Sequence, residues 1–140
     1  MGTTVELYTD STLSTLCMVP AFMTGSLHKV KPISVPQGYK GAIMERYVVP
    51  AEMESSLDIP VGYAGMFNRV LQAPTGRAGY EALYGSRACD MIFPLTKAIN
   101  ALGTKKSGNI YAPNEGEARE MLETLLGWAL IRREGIFHYF

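Results

Sequence analysis

Polar and apolar residues alternate from Thr4 through Val5, Glu6 and Leu7 to Tyr8, which predicts a first β-strand. Asp10 and Ser11 then offer capping side chains, and Leu13, Leu16 and Cys17 fall on one helical face, so a helix is expected there. Pro20 should end that helix or open another over 21–27. Residues 30–35 alternate again between prolines that suit an edge strand, and 37–41 read as a turn. Residues 42–49 are rich in β formers (Ile43, Tyr47, Val48, Val49) and predict a strand ending at Pro50. The mixed stretch 51–65 reads as a helical turn plus loop, and the apolar run 66–71 fits strand or helix.

Past the break at Pro74, Gly76 and Gly79 the helical period returns from Tyr80 through Leu83, Tyr84, Ile92, Phe93, Leu95, Ile99 and Leu102. Asp90 is placed to cap a second piece of that helix, with Pro94 in its first turns and Gly103 as its stop. A short strand is expected over 109–112. Asn114 and Glu117 then resemble a capping box before the stripe Ala118, Met121, Leu122, Leu125 and Leu126. Gly127 should close that helix at the first position past its end, with strands over 128–131 and 136–140 forming a hairpin around Arg133-Glu134-Gly135. The pattern predicts an α+β fold with a single mixed or antiparallel sheet and helices packed on it, in one domain over 1–140.

Composition narrows the class. Thirteen basic residues balance thirteen acidic ones, so there is no strong nucleic-acid signal. No apolar run reaches the length of a membrane span, and the first residues lack a secretory signal, so a cytoplasmic protein is expected, or one in the host cytoplasm if viral. Cys17 and Cys89 match no redox or zinc spacing and read as reduced thiols. His28 and His138 have no metal-ligand spacing, and no metal is expected.

Two patterns carry candidate chemistry. The first is Gln72-Ala73-Pro74-Thr75-Gly76-Arg77-Ala78-Gly79, between an apolar run and a helical stretch. The second is NIYAPNEGEAREMLETLLGW near the C-terminus. With the order of elements, they resemble the GNAT N-acetyltransferase superfamily. The resemblance implies a GNAT-like order, with a C-terminal strand–helix–hairpin. It also implies acetyl-CoA as cosubstrate, lying beside a strand over 66–73. Its pyrophosphate would meet Gln72, Gly76, Arg77, Ala78 and Gly79, with Asn114 on the cofactor side. Three residues separate Gln72 from Gly76, one more than the family's loop has, and Met121 and Leu122 stand where it often has a tyrosine.

Glu45 could take the amine proton, directly or through water, and Tyr84 could reach a loop-bound ligand together with Tyr80 one turn earlier. Their plainer readings are a surface carboxylate paired to a cation and packing residues on an amphipathic helix. Three functional readings follow: a small acyltransferase or acyl-CoA-binding relative acting on an amine; a non-enzymatic phage or viral accessory protein that forms a homo-oligomer or binds a small-molecule ligand; and a ferredoxin-like α+β enzyme acting on an adenosine-containing ligand.

Overall fold

The computed structural model describes residues 2–20 and 52–140 and, as backbone only, 32–36 and 43–47. Strand β1 (Thr3–Tyr8) is central to a three-stranded sheet, and β2 (Met18–Val19) follows it. Strands β3 (Pro32–Pro36) and β4 (Ile43–Tyr47) pair antiparallel with each other, from Pro32 opposite Tyr47 to Pro36 opposite Ile43. Next come β5 (Met53–Glu54), which pairs with β2, and β6 (Ser56–Ile59). The rest is helical until the last strand: α1 (Ala64–Val70), α2 (Tyr80–Leu83), α3 (Ala88–Ala101), α4 (Glu115–Ile131) and β7 (Ile136–Tyr139). The fold is α+β, with helices packed on a small antiparallel sheet of order β6-β1-β7.

Alternation in β1 sets the core. Val5 and Leu7 are fully buried and sit opposite Leu57 and Phe137, which are also buried. They join one cluster with Tyr63 and Phe67 from the α1 region, Met91 and Leu95 from α3, and Leu122, Leu125 and Trp128 from α4. Helices α3 and α4 run antiparallel. At one end Arg119 donates to the Leu102 carbonyl and Gly103 N–H to the Glu115 carboxylate; at the other, Ala88 N–H donates to the Gly135 carbonyl. Ser55 ties the two small sheets together: its hydroxyl and the Cys17 N–H both donate to the Leu7 carbonyl, and its own N–H donates to the Cys17 carbonyl.

Several expected elements differ. No helix follows Asp10. Its carboxylate accepts from the Thr12 N–H at 2.9 Å and from the Thr12 hydroxyl, a local turn that competes with helix and holds the Asp10 carboxyl below its usual pKa. Leu13 then takes φ +55°, and the chain returns to pair beside β1. The stretch 51–65 contains β5 and β6 rather than a helical turn; Leu57 and Ile59 alternate into the core there, and Ser55 is buried as well. The run 66–71 lies in α1 and its cap, so no strand forms over 66–73.

The long helix from Tyr80 is interrupted after one turn. Gly85, at φ +71°, and Ser86 leave helical geometry to exchange backbone hydrogen bonds with Phe137. Helix α3 begins at Ala88, which places Pro94 inside it rather than in its first turns. Residues 109–112 form turns, not a strand. Gly127 lies inside α4, which continues to Ile131, so 128–131 are helical and there is no terminal hairpin; β7 pairs with β1. Trp128 and Ala129 keep the phase of the stripe that starts at Ala118, and their full burial outweighs a glycine's weak helix propensity. The expected helix over 21–27 and turn over 37–41 lie outside the described residues, as does His28.

Candidate ligand-binding cleft

The Gly-rich stretch after α1 folds on itself. Gln72 and Ala78 pair as an isolated bridge, Ala73 N–H donates to the Arg77 carbonyl at 2.8 Å, and Gly76 N–H donates to the Ala73 carbonyl at 2.9 Å. The result is a miniature hairpin with Pro74, Thr75 and Gly76 as its three-residue loop. Gly76 has φ +88°, the left-handed conformation that such a loop needs at its third residue. Gly79 has φ +62°, and a Cβ there would lie 2.1 Å from Asn68 Oδ1, so its absence lets the hairpin close on α1. Three of the stretch's amides (Ala73, Gly76, Gly79) are bonded within this fold. The helix after it, α2, is one turn long. The amides of Ala73, Gly76 and Gly79 are therefore engaged within the hairpin, which leaves those of Gln72, Thr75, Arg77 and Ala78, together with side chains, to meet an anion.

Those side chains converge on one flank of the loop. Pro74, Thr75, Arg77, Tyr84, Arg87 and Asp90 line a cleft of about 710 Å³, with Ser86 and Met91 also in its walls. Arg77 is exposed and makes no ion pair among the described residues. Arg87 is held by Glu134 at 2.5 Å, and that hydrogen bond pushes the guanidinium pKa above its ordinary value. The Ser86 hydroxyl donates to the Ala82 carbonyl at 2.7 Å, which leaves its oxygen able to accept.

Tyr84 ends the α2 turn with its side chain partly in solvent, 47% exposed. Its ring is 4.7 Å from that of His138 and 5.8 Å from that of Tyr139, so β7 fixes the position of the ring. Tyr139 in turn donates to the Glu81 carboxylate at 2.6 Å, a bond that raises the phenol's pKa. Tyr80, the other tyrosine of this turn, is packed against Phe67 and Tyr139, and burial pushes its phenol up to about 12, so it stays neutral.

The remaining nominated residues scatter. Gln72 lies on the opposite flank of the loop, in a second cavity. Ala78 is half-buried and Gly79 buried at the base of the hairpin. Asn114 caps α4, away from the cleft: its Oδ1 accepts from the Glu117 N–H at 2.9 Å, and its Nδ2 donates to Ala112 O, Ser107 Oγ and Tyr63 Oη. Tyr63 closes this network by donating to the Ile110 carbonyl at 2.7 Å. Glu45 is on β4, opposite Ser34, and its side chain lies outside the described residues.

Sequence reasoning did not single out Arg87 and Ser86, which line the cleft, and read Asp90 only as a cap. The signal lay in Gly85-Ser86, a break between two helical stretches that turns the following side chains toward the loop. Among the described residues no helix is long and apolar enough to cross a membrane, and no group of three His, Cys, Asp or Glu side chains could hold a metal ion. Compared with known proteins, the chain matches no family model, no curated protein and no solved structure.

Proposed function

We propose that this chain binds a phosphate-bearing small molecule of the coenzyme A ester class in the cleft between the Pro74–Gly76 loop and the start of α3. The observation that carries this reading is the convergence of Arg77 and Tyr84. They stand seven residues apart, one in the Gly-rich loop and one at the end of the turn that follows it, and both line the same cleft. Arg77 supplies a guanidinium without a carboxylate partner among the described residues, suited to forked hydrogen bonds with a phosphate. Tyr84 supplies a half-exposed ring held in place, against which the flat part of a ligand can stack. Acyl transfer to an amine would require two more things of the site: a place for the amine and a group to take its proton. Asp90 is the carboxylate in the cleft wall and would pair with an ammonium group there.

Thermal unfolding with a panel of CoA esters, nucleotides and S-adenosylmethionine tests this reading. A ligand at about 100 times its dissociation constant stabilises the folded state by about 2.7 kcal/mol. A CoA ester should raise the midpoint, and Arg77→Ala should abolish that rise while moving the unliganded midpoint little, since Arg77 is exposed and makes no ion pair among the described residues. No shift with any member of the panel would contradict it.

A second reading, self-association, is favoured by the apolar end of α4, where Leu130 and Ile131 are 48% and 40% exposed. Light scattering decides it: a dimer that dissociates on Leu130→Lys supports association through this end, and a monomer at all concentrations removes it.

A further inference from the structure

Ala73 and Pro74 form a wall shared by two cavities, a ridge between them. The second cavity, of about 510 Å³, shares Ala73 and Pro74 with the cleft and lies between α1 and α3. Arg69, from the last turn of α1, and Lys97, from α3, both line it. Neither makes an ion pair among the described residues, and no acidic residue is among those lining the cavity.

Two like charges beside one partly apolar cavity repel each other and raise the local potential, and an anion between them relieves both effects. Phe93 is one helical turn before Lys97 on the same face of α3 and is 76% exposed. Single exposed apolar residues are ordinary on a surface. This one borders a cavity whose other walls are Val70 and Pro94, so it extends an apolar surface on which a flat ring can lie. Gln72, on the same wall, adds an amide that can donate to or accept from ring or sugar atoms.

We infer that Arg69 and Lys97 form a second anion-holding subsite across the ridge from Arg77, with Phe93 as its ring platform, so that the ligand carries two separated anionic groups and straddles the loop. The inference rests on the proposed reading of the cleft and adds to it the class of ligand: bis-anionic, with a planar ring near one of its charged ends. The two cavities share Ala73 and Pro74 as a common wall, so one extended molecule can enter both.

Coenzyme A and dephospho-coenzyme A, which differ by the single phosphate on the ribose, are suitable probes. Calorimetry on the wild-type chain should find coenzyme A bound about tenfold more tightly or better, the effect of one added charge-assisted contact. In the double variant R69Q/K97Q the ratio of the two affinities should fall to near one, and Phe93→Ala should weaken coenzyme A binding severalfold. Equal binding of the two probes to wild type, with both weakened by Arg77→Ala, would overturn the second subsite and leave the cleft reading standing. A preference for coenzyme A that survives in R69Q/K97Q would likewise overturn it. Absence of binding by both probes would remove the cleft reading, and this inference with it.

Discussion

Three residues of the Gly-rich and Asn-containing patterns have local structural work that their positions require. Gly76 and Gly79 both have positive φ, but their surroundings differ: a Cβ at Gly76 would meet nothing within 4 Å, whereas at Gly79 it would collide with Asn68. Gly76→Ala should therefore cost about 1 kcal/mol, the conformational penalty alone, and Gly79→Ala clearly more, because the clash adds to it. Urea unfolding of both variants checks the order, and equal losses would show that Asn68 moves aside. Asn114 makes four side-chain hydrogen bonds around the start of α4. Asn114→Ala should lower stability by about 1–2 kcal/mol, at or above the usual loss of a helix cap. Because Asn114 does not line the cleft, it should leave ligand affinity of the folded protein unaltered. A stability-neutral Asn114→Ala that weakens ligand binding would restore Asn114 to the cofactor side.

Among the elements, those marked by a local signal that agrees with burial were legible in the sequence. Strand β1 alternates with its apolar face on the core, β7 is aromatic and apolar, and α4 starts at a real cap. The elements misread were those where a local signal lost to packing. Gly127 looked like a stop, yet α4 passes through it because Trp128 and Ala129 continue the buried face. Leu57 and Ile59 looked like loop residues between polar neighbours, yet they pair with β1. Glu117 completed a capping-box pattern, yet its side chain faces Lys106 at 3.7 Å, and only the Asn114 half of the box forms. The cleft was half legible: Arg77 and Tyr84 lie seven residues apart and were read together, but the wall formed by Ser86 and Arg87 rests on the Gly85–Ser86 bonds to Phe137, a contact between segments about fifty residues apart. Phe137 is fully buried beside Leu7 and anchors this arrangement. Phe137→Ala should cost about 3–5 kcal/mol, as large-to-small changes of buried aromatics do. It should also broaden amide signals of residues 84–87 in NMR spectra of whatever fraction stays folded; unchanged signals there would mean that the cleft wall does not depend on β7.

At the scale of the whole molecule, one buried cluster joins the three-stranded sheet to α1, α2, α3 and α4, and the cleft opens where the loop after α1 meets the start of α3. A buried core beneath the cleft holds the backbone of its walls in place, and Glu134 holds Arg87, so the exposed Arg77 side chain is what a ligand has still to order. The most direct measurement is a titration of the isotopically labelled protein with coenzyme A, followed by backbone amide NMR. The account predicts saturable shifts centred on residues 73–77 and 84–91, weakened by Arg77→Ala, with the amides around Asn114 unmoved. No shifts at millimolar coenzyme A, or shifts centred on 109–117 instead, would contradict it.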